Sequence, residues 1–548
     1  MFEIADVDAL GRIGKLIVKD KQMITPNLFP VIHPSRNVVS SHDLKKIGAQ
    51  CVFTNAYIIY QNQDLREKVL KEGVHKHLGF DGLIATDSGA FQQYMYNNNK
   101  IDIRAAEIEQ FQENIGSDFP VILDLPVQLD DNYEDAKEKV LVTISRAKDN
   151  IKRRTNLDNC WFGPIHGARY SDLLKLSATE MSKLDFGVYA IGGLVKAFLN
   201  YRFDLTLQML LTVKQNIIPN IPIHMFGLGL PQFFSLAVAC GCDLMDSAAY
   251  VLYAKENRYF TLSTGTEKLE ALEEFPCHCP ICCDNKPKEL LKLEPNLKTE
   301  LLAKHNLYLS FSELRTVRQA IREGNLWELV EQRMRAHPTL VNAVNVVKKN
   351  IAFIEKHEKL YKPRGRLYTS TFDIFRPLIK RHENRIKANY RVPKNVKFLL
   401  ILPELDTTGK NSPSIIEWLN RIENNTTIQR NLIHVVFFSS FYGLIPLELS
   451  DTYPLSQHES IVSTEESDLL YKNSIQKAKT FLSNNIKYYE RCGILIPERY
   501  KNQFGEYTSF SKENPIYELL NEIKGKYVIE GSKFSDIDEI IHFFKNDT

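Results

Sequence analysis

The densest group of reactive side chains in this sequence is a cysteine cluster. Four of the nine cysteines lie within seven residues: Cys277, Cys279, Cys282 and Cys283. Three thiolates and one imidazole form a closed tetrahedral zinc site, and we predict one structural Zn2+ with His305 as the imidazole ligand. Cys283 in place of Cys282 is an alternative, and His278 in place of His305 is another. The odd cysteine count in a long chain argues against a disulfide framework.

Two aspartates stand where short apolar stretches end, Asp87 in TDSGAFQ and Asp246 in DLMDSAAY. Paired carboxylates can divide the work of breaking a glycosidic bond, because one attacks the anomeric carbon while the other moves a proton. The attacked carbon passes through an oxocarbenium-like state, which a carboxylate stabilises and then traps. Either aspartate can instead be the N-cap of the helix that follows it.

Three further strand ends carry groups suited to binding a flat base. Asp124 in LDLP can accept paired N–H groups from a guanine-like edge, or it is a solvated turn residue before Pro126. His166 ends another apolar stretch and is either a ligand contact or a satisfied core histidine. The glycine pair Gly192 and Gly193 would let a planar ligand approach the backbone closely.

These residues need an element that brings strand ends together, and the first 260 residues supply eight candidate strands. The strands end at FPVIHPS, CVFTNAY, GLIATDSG, PVILDLP, CWFGPIHG, GVYAIGGL, IPIHMFGLG and CDLMDSAAY. Amphipathic segments separate them, so we predict an α/β fold of the (β/α)8 TIM-barrel type, whose active sites lie at the carboxyl ends of the strands. An open doubly wound sheet is the competing fold, although no Gly-rich phosphate loop supports it.

The remainder of the chain divides into three predicted parts. The catalytic domain is expected to span residues 1–360, with a zinc-binding appendage at about 264–360. Residues 361–395 are basic and aromatic and are predicted to connect the domains. Residues 396–548 again alternate apolar strands and helices, which predicts a C-terminal α/β domain.

Composition and charge limit the class of protein. A chain of 548 residues with 44% hydrophobic and 25% charged residues is too long for one core, so at least two domains are expected. We find no apolar run of about 18 residues and no signal peptide, and we therefore expect a cytoplasmic protein without a membrane span. The net charge of +2 does not by itself indicate nucleic-acid binding, but a local basic face is sufficient for such binding.

Seven motifs in order resemble the tRNA-guanine transglycosylases over about residues 1–360. They are TDSGAFQ, LDLP, HGARY, AIGGLV, FGLG, DLMDSAAY with YAKENRY, and CHCPIC with the distant His305. The segment from PKELLKLEP to MRAHP is most similar to the archaeal branch. That branch exchanges guanine 15 in the tRNA D-loop for 7-cyano-7-deazaguanine, the first step towards archaeosine, so tRNA, guanine and that base are the implied partners.

The resemblance implies a role for each matching residue. Asp246 would be the nucleophile that forms a covalent tRNA intermediate, and Asp87 would accept the proton. The implied base-binding residues are Asp124, Ser88, Phe91, His166, Gly192 and Gly193, with Phe91 stacking on the heterocycle. The implied zinc ligands are Cys277, Cys279, Cys282 and His305. The family often has Gln at the position of His166, which puts the base contact there in question.

The resemblance also bears on partners. The family implies a homodimer that uses the zinc-side surface. Archaeal members usually end in a PUA-type RNA-binding domain that we do not recognise, and its absence would weaken tRNA capture or require a separate RNA-binding partner chain. The segment FYGLIPLELSDTYPLSQHE resembles archaeosine synthase instead. An archaeosine synthase-like enzyme acting on already modified tRNA, and a non-catalytic tRNA-binding subunit, are therefore the alternative functions.

The basic-aromatic run at 362–387 is the predicted contact with the tRNA backbone. The residues chosen for that contact are Arg364, Arg366, Arg376, Lys380 and Arg381. Arginine and lysine side chains on one face neutralise phosphates, which is the main source of affinity for nucleic acids. A solvated charged helix face is the alternative.

Overall fold

The computed structural model describes residues 1–90, 103–405, 412–460, 467–502, 504–512, 514–526 and 530–545. The chain forms two compact units, Met1–His357 and Glu358–Thr548. The predicted connecting segment 361–395 therefore belongs to the second unit. None of the helices in the described part of the chain is long and apolar enough to span a bilayer.

The first unit begins with a small antiparallel sheet and continues with eight short strands. The antiparallel sheet consists of β1 (Phe2–Asp8), β2 (Gly11–Val18) and β3 (Lys21–Thr25). The eight strands are β4 (Asn27–Pro30), β5 (Cys51–Asn55), β6 (Leu83–Asp87), β7 (Phe119–Pro120), β8 (Phe162–Ile165), β9 (Val188–Ile191), β10 (Ile223–Met225) and β11 (Leu244–Ser247). They occupy the eight stretches predicted from the sequence.

The eight strands close into a parallel barrel. Pairing gives the orders β8-β9-β10-β11-β4 and β5-β6-β7, with every neighbouring pair parallel. Parallel bridges between Val31 and Phe53, and between Val121 and Phe162, join the two sheets at both edges. The predicted (β/α)8 barrel is thus confirmed. Closure excludes the open doubly wound sheet.

Helices alternate with the strands of the barrel. They are α1 (Ser41–Ile47), α2 (Ala56–Gln61), α3 (Gln63–Glu72), α4 (Val74–Leu78), α5 (Ala105–Asn114), α6 (Tyr133–Arg153), α7 (Ser171–Met181), α8 (Val195–Leu199), α9 (Phe203–Lys214), α10 (Pro231–Ala239) and α11 (Ala249–Lys255). In α6 the Asn132 side chain caps the start by accepting the Asp135 N–H. Its buried residues, including Ala136, Val140 and Ile144, recur at helical spacing and form one apolar face.

The barrel interior is aromatic. Phe29, Phe53, Phe119 and Phe162 come from four different strands and belong to one buried cluster. One polar ring, that of His224 on β10, lies among them. Burying an imidazole in such surroundings costs free energy unless it is hydrogen-bonded, so its partner is of interest for the site.

An appendage follows the barrel within the first unit. It contains a hairpin of β12 (Arg258–Thr261) and β13 (Gly265–Lys268). Its helices are α12 (Pro280–Asp284), α13 (Pro287–Leu290), α14 (Pro295–Glu323), α15 (Leu326–Met334), α16 (Pro338–Lys349) and α17 (Ile351–His357). The long helix α14 ends at Gly324, whose positive φ of 71° provides a left-handed cap.

The second unit is an α/β domain around a five-stranded sheet of order β17-β16-β15-β19-β22. Its strands are β14 (Arg366–Tyr368), β15 (Phe398–Pro403), β16 (Ile433–Ser439), β17 (Gly443–Pro446), β18 (His458–Ser460), β19 (Arg491–Leu495), β20 (Arg499–Lys501), β21 (Tyr507–Ser509) and β22 (Glu530–Phe534). Its helices are α18 (Pro377–Asn389), α19 (Pro413–Glu423), α20 (Ser467–Asn485), α21 (Ile516–Lys526) and α22 (Ile537–Lys545). Alternate residues of β15 belong to two different apolar clusters, so both faces of the sheet are buried.

Candidate functional site

Three carboxylates come together at the carboxyl ends of the barrel strands. Asp87 is the last residue of β6, Asp246 lies in β11, and Asp124 follows β7. Their charges interact, because Asp124 and Asp246 both raise the pKa of Asp87. The barrel therefore presents the three groups on one rim, where the active sites of this fold lie.

Asp87 is held by two donors and carries a strongly shifted pKa. Asn55 Nδ2 donates to Oδ2 at 2.8 Å, and the Gly89 N–H donates to Oδ1 at 3.1 Å. The Asn55 amide is fixed because its Oδ1 accepts the Ile58 N–H at 2.8 Å. Burial, together with the charges of Asp124 and Asp246, raises the pKa of Asp87 to about 7, against the lowering effect of its hydrogen bonds. Such a group can give or take a proton near neutral pH.

Asp246 is held through one oxygen. His224 Nε2 lies 2.8 Å from Oδ1, and the Gly227 N–H donates to the same atom at 3.1 Å. Within the described residues, no hydrogen bond reaches Oδ2. The N-cap alternative does not apply, since the first turn of α11 is met by Ser247 Oγ, which accepts the Ala249 N–H. The two oxygens of this carboxylate thus differ, since only Oδ1 is fixed by hydrogen bonds from the described residues.

Asp124 pairs with His166 across the rim. His166 Nε2 lies 2.6 Å from Asp124 Oδ2, and both side chains are buried. This excludes a solvated turn residue at Asp124. His166 Nδ1 is buried without a hydrogen-bond partner. The structure therefore pairs His166 with Asp124, and the direct base contact that the resemblance implies stays a prediction.

The two glycines beside this pair are required by close packing. A Cβ on Gly192 would lie 2.2 Å from Cε1 of His166. A Cβ on Gly193 would lie 2.3 Å from the carbonyl oxygen of Val127, and the φ of 75° at Gly193 favours glycine. Side chains at these positions would displace His166 and the chain that follows Asp124.

Two other implied base-binding residues are Ser88 and Phe91. Ser88 is fully buried, and its hydroxyl donates to the carbonyl of Ile122 at 3.1 Å. Its side chain thus ties two strand ends together, and its role in base binding stays a prediction. Phe91 lies outside the described residues.

Three residues that contact the aspartates were not among the predicted site residues: Asn55, His224 and Gly227, the last of which lies in the FGLG motif. Each touches an aspartate from a neighbouring strand or loop. His224 had a visible signal, because it is a single polar residue inside the apolar strand IPIHMF. The partners of Asn55 and Gly227 depend on strand register, which the sequence does not display.

The predicted metal ligands form a cluster. The ligand atoms of Cys277, Cys279, Cys282 and His305 all lie within 4.8 Å of one another. His305 Nδ1 lies 3.5 Å from Cys279 Sγ and 3.4 Å from Cys282 Sγ. Cys283 is exposed, and neither it nor His278 belongs to the cluster. The geometry thus selects one of the ligand sets that the sequence left open.

The orientation of His305 fits a metal site. Its Nε2 lies 3.1 Å from the carbonyl oxygen of Phe260, so the proton sits on Nε2 and the lone pair of Nδ1 faces the thiols. The ring of Tyr259 stacks on the imidazole with centroids 3.7 Å apart. These contacts fix the orientation of the His305 ring from the side opposite the thiols, as metal-bound imidazoles require.

The predicted tRNA contacts need correction. Arg366, Arg376 and Arg381 are buried and cannot present their charges to phosphates. Arg376 pairs with Asp373 and lies over the ring of Tyr368 at 5.3 Å, and Arg381 donates to the carbonyls at 358 and 359. These guanidinium groups stabilise the second unit from within. Arg364 is exposed, and the half-buried Lys380 pairs with Glu383 at 3.0 Å.

Comparisons with known proteins agree with one another. The family model described as queuine tRNA-ribosyltransferase matches residues 6–339. A tRNA-guanine(15) transglycosylase of Methanococcus maripaludis is 37% identical over 552 residues, covering 100% of this chain and 81% of that protein. The protein of the same name from Methanocaldococcus jannaschii is 40% identical over 464 residues, covering 84% and 68%. That from Methanobrevibacter smithii is 35% identical over 536 residues, covering 97% and 79%.

Proposed function

This chain belongs to the queuine tRNA-ribosyltransferase family, and we propose that it is a tRNA-guanine transglycosylase that exchanges guanine 15 of tRNA for 7-cyano-7-deazaguanine. The observation that carries the proposal is the state of Asp246. Two N–H donors hold its Oδ1, and its Oδ2 is left open on the same rim as a carboxyl group with a pKa of about 7. This is the arrangement that two successive displacements at one anomeric carbon require.

In the first displacement, Asp246 Oδ2 attacks C1′ of the target nucleotide, which has left its stack to reach the barrel mouth. The C1′–N9 bond breaks, its electron pair goes to guanine, and Asp87 gives its proton to the departing base. In the second displacement, the incoming base gives its N9 proton to Asp87 and attacks C1′. The C1′–Oδ2 bond breaks and its electron pair returns to Asp246. Both carboxyl groups end as they began, so no external energy source is needed.

The electrostatic coupling of the two carboxyl groups suits this sequence of proton transfers. The negative charge of Asp246 is one cause of the raised pKa of Asp87. Ester formation removes that charge, which lowers the pKa of Asp87 as it gives up its proton. Departure of Asp246 from the sugar restores the charge, which raises the pKa of Asp87 as it takes the proton of the incoming base. Proton transfer and covalent chemistry therefore favour each other in both directions.

The rate of exchange should fall as the pH rises through about 7, because Asp87 with its raised pKa loses the proton that the departing guanine needs. We expect about a tenfold loss of rate per pH unit on the alkaline side, measured with isotopically labelled guanine. Asp124→Asn should shift this limb to lower pH, because it removes one of the charges that raise the pKa of Asp87. If the alkaline fall in rate occurred at the same pH in Asp87→Asn, a group other than Asp87 would be responsible for it.

Asp124 is proposed to bind the base. His166 fixes its Oδ2, while no hydrogen bond from the described residues reaches Oδ1. A carboxylate held in this way can accept the N1–H and the 2-amino group of guanine or of its 7-deaza analogue, since both present the same edge. The backbone at Gly192 and Gly193 adjoins this pair.

Zinc is the proposed metal of the cysteine cluster. Cys277, Cys279, Cys282 and His305 supply the three thiolates and one imidazole that tetrahedral zinc prefers. Four protein ligands leave no position for water or substrate. The ion would therefore stabilise the appendage and take no part in the reaction. The homodimer that the family resemblance implies remains a proposal.

For tRNA binding we propose a groove of about 500 Å3 in the second unit, between α18 and α20. Its lining includes the exposed cations Lys387, Arg391 and Lys487, which form no ion pair within the described residues. Tyr488, 46% exposed, adds a ring on which a base can stack. The groove thus combines the charges and the aromatic surface that unpaired nucleic acid binds.

Replacing Lys387, Arg391 and Lys487 together by Gln should weaken tRNA binding about tenfold near 0.1 M salt and reduce the salt slope by about 2. The slope falls because fewer counterions are released when fewer phosphates are neutralised. Titrations of labelled tRNA at several salt concentrations measure both quantities. The matched control replaces Lys394, Lys472 and Lys512, which are exposed outside the groove. If the two triple variants lost the same amount of tRNA affinity, the groove would be rejected as the tRNA-binding site.

Incorporation of labelled guanine into tRNA by the purified chain tests the function itself. An archaeosine synthase-like enzyme or a non-catalytic subunit would not exchange guanine, so absence of exchange with intact tRNA would reject the proposal. Supplying 7-cyano-7-deazaguanine and mapping the modified nucleotide then identifies the base and the position. Insertion of a different base, or insertion elsewhere, would correct those two details alone.

A further inference from the structure

His224 is buried at the centre of the barrel with a single polar contact. Its side chain is fully inaccessible to solvent, and its Nε2 lies 2.8 Å from Oδ1 of Asp246. Aromatic rings surround the imidazole with centroids 5.1–6.1 Å away: Phe29, Phe53, Phe162 and Phe226. Its Nδ1 is buried without a hydrogen-bond partner.

These surroundings define which nitrogen carries the proton. An ionised carboxylate only accepts hydrogen bonds, so the Nε2 that faces Asp246 must be the donor. A proton on Nδ1 would be buried among phenyl rings without an acceptor, which costs free energy. The neutral imidazole with its proton on Nε2 satisfies both conditions. The aromatic cage thus keeps a single N–H directed at Asp246.

We propose that His224 is a positioning residue that holds Asp246 through Oδ1 and favours its release from the covalent tRNA intermediate. This inference rests on the proposed role of Asp246 as nucleophile. With Oδ1 fixed by His224 and by the Gly227 N–H at 3.1 Å, only Oδ2 is available for attack on C1′. After attack, Oδ1 becomes the ester carbonyl oxygen and still faces the same two donors.

The two donors act differently on the two displacements. Before the first displacement, the hydrogen bonds already stabilise the negative charge of Asp246. That charge diminishes towards the transition state, so the two donors do not accelerate this step. In the second, the C1′–Oδ2 bond breaks, its electron pair moves to the carboxylate, and negative charge grows on Oδ1. A hydrogen bond to an ionised acceptor is stronger than one to a neutral acceptor, so His224 accelerates the second displacement. It also shifts the equilibrium from the ester towards the free carboxylate.

The test compares two side chains of similar length. His224→Gln retains an N–H near the position of Nε2, whereas His224→Met retains the length and the apolar contacts but has no donor. Loss of one donor to a reacting oxygen slows turnover about 100-fold in comparable sites, and we expect this for His224→Met. The kcat/KM for tRNA, which reports only the steps up to release of guanine, should not fall, so the KM for tRNA should decrease together with kcat. His224→Gln should recover most of the lost rate.

The covalent intermediate provides the readout that a purely structural role would not move. Full-length protein is incubated with tRNA under limiting guanine, denatured and separated, and the adduct is measured before and after excess guanine is added. We expect His224→Met to hold a larger adduct fraction and to release it about 100-fold more slowly than wild type.

His224→Leu replaces His224→Met if the latter does not fold. Release at the wild-type rate by a folded donor-free variant, or equal release by Gln and Met variants, would overturn the inference. No adduct in wild type would instead reject the proposed function.

Discussion

The Asp246→Asn variant is expected to bind tRNA and to exchange no measurable guanine, a loss on the order of 10^4-fold or more. Asparagine has the same shape and can still accept the Gly227 N–H, but its amide has no negative charge to stabilise an oxocarbenium-like state and is a poor nucleophile. The denaturation-resistant tRNA adduct should disappear with the activity. Labelled-guanine exchange and a denaturing gel of enzyme and tRNA measure the two effects.

Two comparisons make this result specific to Asp246. Asp158→Asn removes an exposed carboxylate away from the rim and should leave both exchange and adduct intact. Asp87→Asn should slow exchange while Asp246 can still form an ester with the sugar, because Asp87 moves protons and is not the nucleophile. An adduct that survived in Asp246→Asn but vanished in Asp87→Asn would exchange the roles of the two aspartates.

The barrel could be predicted because its strands are short and mostly apolar, and polar or glycine residues lie at or close after the ends of several of them. Parallel strands that are buried on both faces tend to be apolar runs, and β6 and β11 begin with LIA and LM before they end in polar residues. The barrel places every strand end on one rim. Asp87, Asp124 and Asp246 therefore came together without any knowledge of their side-chain contacts.

The contacts that tune these aspartates could not be predicted, because they cross between strands distant in sequence. Asn55 reaches Asp87 from β5, and His224 reaches Asp246 from β10. Both pairs depend on the register between neighbouring strands, and a shift of one residue would turn the side chain away. The pairing of His166 with Asp124 has the same origin, since it spans two barrel strands.

In the basic segment, the composition predicted a surface that the structure does not have. Arg366, Arg376 and Arg381 have the composition of an RNA-binding surface, yet the structure buries all three. Arginine is buried when its charge and donors are matched, and Asp373, the Tyr368 ring and backbone carbonyls provide the match. The sequence displays a charge but not the direction of its side chain. The exposed cations of the groove include Arg391 and Lys487, which lie beyond the run 362–387 predicted to contact tRNA.

Loss of the proposed zinc is expected to produce the largest change in stability. Cys279→Ser removes one thiolate of the cluster, so the ion should be lost and the melting temperature of the protein should fall by more than about 10 °C. Structural zinc contributes its binding free energy to folding, because the ligand set does not exist in the unfolded chain. Elemental analysis should show one zinc per chain in wild type and almost none in the variant, and calorimetry should show the lower transition.

Cys283→Ser is the matched control for that variant, because it removes an exposed thiol four residues away that is not part of the cluster. It should retain both the metal and the wild-type transition, and His278→Ala should do the same. A chelator applied to wild type should reproduce the effect of Cys279→Ser, and added zinc should reverse it while the protein remains soluble. If Cys283→Ser lost the metal while Cys279→Ser kept it, the ligand set would have to be reassigned. If neither variant changed metal content or melting, the four side chains would form a cluster that needs no ion.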